Sequence, residues 1–270
     1  MSVRRLYKPL QDFLSSSADF RVIYNSSGSQ FITPNTSRIF ILDSSFNPPH
    51  LGHYALIKES LSGKYFTHDE KPDERVILLL LSVNNADKQH APESFENRLE
   101  MMYLMAQDLS KKYPQTHNIS IGLTKHAKFV DKSVSILRSL DVSAIRLTFL
   151  VGYDTLIRIF NPKYYLPDKI SSSLEDFMTS TDLFCLTRND GESHHSEQSS
   201  YLENIRSGKN EHIPTHWSNN IFLHENFGDE VGMISSSKVR HSIQNGGDWK
   251  DHLIPEVSDL IVQDKLYQSS

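Results

Sequence analysis

Residues 38–53 read Arg38-Ile39-Phe40-Ile41-Leu42-Asp43-Ser44-Ser45-Phe46-Asn47-Pro48-Pro49-His50-Leu51-Gly52-His53. The opening run, Arg38 to Leu42, is nearly continuous in apolar residues, as expected of a strand buried on both faces of a sheet. Asn-Pro-Pro then supplies turn chemistry, and a helix is expected over 52–61. His50 and His53 stand three residues apart, so both rings lie on one face of the first helical turn. A turn leading into a helix start presents backbone N–H groups and partial positive charge, to which the imidazoles add donors. That combination suits a polyphosphate whose charge is being redistributed.

Outward from this segment, strand-like and helix-like stretches alternate, which predicts an α/β fold: a doubly wound, mostly parallel, Rossmann-like sheet with helices on both faces. Strands are expected at 38–43, 75–83, 119–123, 145–151, 182–187 and 220–224. A helix face is legible in Phe95, Leu99, Met102, Leu104 and Met105. Further helices are expected near 131–140, 153–160, 197–207, 236–244 and 256–267. Residues 1–37 read as a small N-terminal appendage with a basic, amphipathic start and a short strand-like run at 20–24, leaving 38–270 as the main domain. Residues 188–199 carry turn formers without periodicity and read as a surface loop, with His194 and His195 as its solvent-exposed histidines. In a doubly wound sheet the ligand sits beyond the carboxyl ends of the strands, where the strand order reverses.

Composition narrows the function. The formal net charge of −5 over 270 residues argues against a nucleic-acid sheath or a membrane-surface protein. The single cysteine, Cys185, cannot form an intrachain disulfide, which fits a reducing compartment. With no secretory signal and no apolar stretch long enough to span a bilayer, a soluble cytoplasmic or nuclear protein is expected. No His, Cys and carboxylate cluster shows metal-site spacing.

Three other segments carry candidate chemistry. In Ile234-Ser235-Ser236-Ser237-Lys238-Val239-Arg240, serines at a helix start cap N–H groups that also suit phosphate oxygens, and Arg240 lies one turn further on, within reach of the same anion. In Val151-Gly152-Tyr153-Asp154, Gly152 permits close approach of a ligand to the backbone, and Asp154 is an acceptor suited to ribose hydroxyls. After the second strand, Asn84-Asn85-Ala86-Asp87-Lys88 and then Phe95-Glu96-Asn97-Arg98 place two cations near a strand end.

Together these segments resemble the nicotinamide mononucleotide adenylyltransferase family of the H-x-G-H nucleotidyltransferases. The resemblance runs through S-F-N-P-x-H-x-G-H at 45–53, G-x-D-x-L at 152–156 with Pro162 to Tyr165, and I-S-S-S-x-x-R at 234–240. In family order these elements span residues 43–240. The resemblance implies adenylyl transfer from ATP to nicotinamide mononucleotide, giving NAD and pyrophosphate. It assigns catalysis to His53, His50, Lys88 and Arg240. It places ATP against Ser44, Ser45, Phe46, Gly152, Asp154 and Ser235 to Ser237, besides His50, His53 and Arg240. The mononucleotide is placed against Ser45, Phe46, Lys88 and Tyr165. Lys88 is similar to the family lysine that meets the acceptor phosphate, and Arg98 to the arginine on the next helix. Tyr165 stands where a Trp stacks on the pyridine ring, with Phe129 the next aromatic candidate, and Ser44 stands where Gly is usual.

An acceptor phosphate is largely dianionic near neutrality, its second pKa being about 6, so in-line attack on the α-phosphorus needs no general base. Mg²⁺ is expected to be carried mainly by the ATP phosphates. Two other readings stay open: another H-x-G-H enzyme, of the phosphopantetheine adenylyltransferase or cytidylyltransferase kind, and an ATP-binding or ATP-hydrolysing scaffold.

Overall fold

The computed structural model describes residues 4–28, 30–62, 64–66, 75–84, 93–116, 118–140, 145–188, 192–226 and 230–268. Its strands are β1 Phe20–Asn25, β2 Arg38–Asp43, β3 Arg75–Ser82, β4 Asn118–Thr124, β5 Arg146–Gly152, β6 Thr181–Leu186 and β7 Ile221–His224. The helices are α1 Tyr7–Leu14, α2 Leu51–Ser60, α3 Phe95–Lys112, α4 Phe129–Ser139, α5 Tyr153–Ile159, the short α6 Ile170–Ser173 and α7 Glu175–Ser180, then α8 Glu192–Arg206, α9 Ser236–Gln244 and α10 Pro255–Gln263.

The strands join in one sheet of order β1-β4-β3-β2-β5-β6-β7. Every pairing is parallel except β1 against β4. From β2 the chain winds out through β3 and β4, then returns to place β5 on the other side of β2. The strand order therefore reverses between β2 and β5, and the crevice beyond their carboxyl ends is the place for a ligand. Asp43 ends β2 and Gly152 ends β5, so the motifs at 43–53 and 152–156 meet there.

Strand alternation divides the core. Ile39, Ile41, Val76, Leu78, Phe149 and Val151 face one layer, with Ile136 of α4, Leu156 of α5 and Ile205 of α8. Phe40, Leu42, Ile77, Leu79, Leu81 and Leu150 face the opposite layer, with Ile57 of α2 and Met102 and Met105 of α3. Both faces of β2, β3 and β5 are thus covered, which is why Ile39–Leu42, Val76–Leu81 and Phe149–Val151 read as continuous apolar runs. The segment before residue 38 is built into the same layers. Leu10 and Phe13 of α1 join the second cluster, and β1 closes the sheet edge beside β4. A third cluster packs Val239 of α9 and Val257 and Ile261 of α10 against Met101 of α3, which carries α9 to the mouth of the crevice.

One stretch departs from expectation. Residues 192–196, expected as loop, form the start of α8, which reaches back beyond the helix expected from 197. Isolated helices of this polarity are marginal, and tertiary contacts decide them: Ile205 is fully buried, Tyr201 and Leu202 pack on the core, and Gln198 is buried as well. His195 therefore sits on a helix. Among the described residues no helix is long and apolar enough to cross a membrane.

Candidate active site

The turn from β2 into α2 determines the site. His50 is the N-cap of α2: its Nδ1 accepts from the Gly52 backbone N–H at 3.1 Å. Its own backbone N–H donates to His53 Nδ1 at 3.0 Å. A Cβ on Gly52 would lie 2.9 Å from the His50 ring, so glycine is what lets the imidazole fold back on the helix start. Because both Nδ1 atoms accept, the hydrogen-bond network assigns each ring the neutral tautomer with hydrogen on Nε2. His53 Nε2 then donates to Ser44 Oγ at 2.9 Å. The two rings lie 3.9 Å apart between centroids, and Phe46 packs behind His53 at 5.2 Å.

Electrostatics agree with neutral rings. Burial above all, then the positive charge of Arg188, lowers His53 to about 3. His50 is also lowered well below its ordinary value, by burial first and then by His53, Arg188 and His252. Both imidazoles are therefore neutral hydrogen-bond donors near pH 7 and carry no positive charge.

Two cavities meet at this point and share Asp43 and Ser44. One is lined by His50, Gly52, His53, Gly152, Thr155, Thr187, Arg188, Ser235 and Ser236, among others. The other is lined by Ser45, Asn84, Arg98, Lys128, Phe129, Lys132, Arg158 and Tyr165, again among others. At the junction Lys132 Nζ donates to Asp43 Oδ2 at 2.5 Å, and both side chains are nearly inaccessible to solvent. Arg98 is buried, and its Nε donates to the Ser45 carbonyl at 2.7 Å. Burial draws it down to about 10, so it keeps its charge at neutral pH.

The sequence-derived candidates fall as follows. His50, His53, Ser44, Gly152, Ser235 and Ser236 line the first cavity; Ser44, Ser45, Arg98, Phe129 and Tyr165 line the second. Tyr165 is half-buried, its hydroxyl donating to the Ile159 carbonyl at 2.8 Å, and burial pushes the phenol up to about 12. Phe46 is fully buried and serves as backing for His53 rather than as cavity lining. Its φ of 46° places the turn's left-handed residue there and not at Ser44, so serine in place of glycine at 44 carries no backbone penalty. Asp154 lies outside both linings, paired with Arg188 at 3.1 Å.

Ser235 caps α9 by accepting from the Lys238 N–H at 3.3 Å, and Ser236 Oγ donates to the Pro48 carbonyl at 2.8 Å. Arg240 donates to the Asn47 carbonyl at 2.6 Å and to Ser237 Oγ at 3.2 Å, so it ties α9 to the Phe-Asn-Pro turn. Ser237 and Arg240 line neither cavity. Lys88 lies outside the described residues.

Lys132 and Arg188 were not singled out from the sequence. Arg188 follows β6, so its place beyond a strand's carboxyl end was a usable signal; Lys132 looks like any helix lysine. Among the described residues, no group of three or more His, Cys, Asp or Glu side chains could hold a metal ion.

Residues 41–242 match the model of the cytidylyltransferase-like family. A curated Schizosaccharomyces pombe protein named "Putative nicotinamide mononucleotide adenylyltransferase" is 33% identical over 239 residues, covering 88% of this chain and 86% of its own length. Among solved structures, Plasmodium falciparum nicotinic acid mononucleotide adenylyltransferase complexed with NaAD matches with a TM-score of 0.55 at 18% identity. The same Plasmodium enzyme complexed with APC matches at 0.53 and 17%. Each match covers 86% of this chain and 97% of the other, and at such identity the likeness is one of fold. The match over 41–242 and the relative spanning most of both chains place this protein in the cytidylyltransferase-like family, among the nicotinamide mononucleotide adenylyltransferases.

Proposed function

We propose that this protein transfers the adenylyl group of ATP to nicotinamide mononucleotide, forming NAD and releasing pyrophosphate. One observation carries the reading: two cavities of different chemistry join at Asp43 and Ser44, where His53 Nε2 points. The lobe with Gly152, Ser235 and Ser236 receives ATP. The lobe with Tyr165, Phe129, Arg98 and Lys132 receives the mononucleotide, its pyridine against Tyr165. The acceptor phosphate and the α-phosphorus then meet at the junction.

The nucleophile is already ionised, so the barrier is anion repulsion and charge build-up on the leaving pyrophosphate. Neutral His53 and His50 donate Nε2–H bonds to the α-phosphate and its surroundings, where fixed donors stabilise developing charge without reorganising. Lys88, by the family resemblance, holds the acceptor phosphate, and Arg98 keeps the Ser45 carbonyl in place. Arg240 acts by fixing α9 against the turn, so that Ser235 and Ser236 face the phosphates.

Mg²⁺, when bound, neutralises phosphate oxygens. Ser44 and Asp43 are hard oxygen donors at the junction, and with Asp43 engaged by Lys132 the ion would be held mainly by the nucleotide's phosphates. The buried, lone Cys185 fits a cytoplasmic or nuclear setting.

The test is product formation from α-labelled ATP, Mg²⁺ and nicotinamide mononucleotide. Parallel incubations contain nicotinic acid mononucleotide, phosphopantetheine, CTP with a phosphorylated alcohol, or no acceptor. Labelled pyridine dinucleotide together with pyrophosphate is expected. Acceptor-independent ADP and phosphate would establish the ATP-hydrolysing reading instead.

A further inference from the structure

Arg188 lines the first cavity and takes no direct part in the transfer, and its backbone is held firmly from α8. Gln198 of α8 is buried, and its amide spans the Arg188 peptide: Oε1 accepts from the Arg188 N–H at 2.9 Å, and Nε2 donates to the Arg188 carbonyl at 3.1 Å. The guanidinium reaches across the end of β5, with Nη1 3.1 Å from Asp154 Oδ2. Its Nε lies 3.6 Å from where a Cβ on Gly152 would stand. It therefore covers the glycine that leaves the backbone open to a nucleotide, and it engages the carboxylate suited to ribose hydroxyls.

Charge strengthens the case. Among the described residues lining this lobe, Arg188 is the one full cation, because both histidines are neutral there and Asp43 is paired with Lys132. A triphosphate brings several negative charges into the lobe, and a planar guanidinium is the side chain best shaped to take two phosphate oxygens at once. Its side chain is 39% exposed, so it can turn without disturbing the core.

We propose that Arg188 is a nucleotide-exchanged cation: it leaves Asp154 for the triphosphate when ATP enters, freeing Asp154 for the ribose. Gln198 is its positioning residue. The inference rests on the reading that this lobe takes ATP.

Equilibrium binding of ATP and of adenosine to wild type, Arg188→Gln and Arg188→Lys tests it, with melting temperature followed in parallel. A charge-assisted contact of this kind predicts that Arg188→Gln weakens ATP binding by about 10- to 100-fold. Adenosine binding should stay within about twofold or tighten, and Arg188→Lys should recover part of the ATP affinity because the charge is kept. Gln198→Leu should weaken ATP selectively in the same direction, a pattern that a general packing defect does not produce. Equal weakening of ATP and adenosine, unchanged ATP binding, or tighter ATP binding in Arg188→Gln overturns the assignment; absence of ATP binding by wild type overturns it as well. The transfer reading fails separately: dinucleotide formation with no selective loss of ATP in Arg188→Gln refutes only Arg188, and selective loss without any dinucleotide product refutes only the transfer.

Discussion

Burial of a neutral His53 makes the stability of this protein pH-dependent in a calculable way. The unfolded ring titrates near 6.5, while the folded ring, desolvated and close to Arg188, titrates near 3. The folded pKa is depressed, so the unfolded chain takes up a proton as pH falls through 6.5 that the folded chain refuses until about 3. The contribution of His53 is therefore fully present above pH 6.5 and lost progressively as pH falls from there toward 3. Between pH 8 and pH 5 the loss is about 2 kcal/mol, from linkage with these two values. His50, lowered for the same leading reason, adds to it in the same direction.

The perturbation is His53→Gln, which keeps polar atoms for Ser44 and the His50 N–H and removes the titration. Urea unfolding at pH 8 and pH 5 measures both proteins. Wild type should lose about 2 kcal/mol more than the variant between the two pH values, a midpoint difference on the order of 1 M. The same stability gap at both pH values would refute a buried, neutral His53.

His53→Ala should lower turnover by about 100-fold or more in protein that still folds, since one lost transition-state donor costs about 2.7–4 kcal/mol; steady-state rates on the folded fraction check this. Lys132→Met strands a buried Asp43 and should destabilise by about 3–5 kcal/mol, much of it recovered in the double variant Lys132→Met with Asp43→Leu, as read by denaturant unfolding. Tyr165→Ala should weaken mononucleotide binding by a few-fold to about tenfold and leave ATP binding unchanged, the loss of a stacked aromatic face; titration calorimetry with each nucleotide separates the two.

Much of this architecture can be read from residue pattern. The runs at 39–42 and 76–81 are uninterrupted because both faces of β2 and β3 are covered, and covered strands have no polar alternation to hide them. The turn at 43–53 is equally legible, since Asn-Pro-Pro fixes the bend and Gly52 makes room for His50. What depended on strand order was not. Arg188 and Asp154 lie 34 positions apart and become partners because β6 pairs beside β5. Lys132 has meaning only because α4 lies over the end of β2. The helical character of 192–196 has no local signal, because it is set by Gln198 and the apolar residues after it meeting the sheet, not by local propensity. The turn's left-handed residue is buried Phe46, not position 44 where glycine is usual, and no residue pattern marks a phenylalanine for that backbone; its ring packs against His53.

The most direct test is a crystal structure of the protein with nicotinamide mononucleotide and a non-hydrolysable ATP analogue bound together. Adenosine is expected in the lobe of Gly152 and Ser235, the pyridine against Tyr165, and the α-phosphorus at the Ser44 junction within hydrogen-bonding reach of His53 Nε2 through its oxygens. Adenine in the Tyr165 lobe, or the two phosphates held apart with His53 facing neither, would contradict this arrangement.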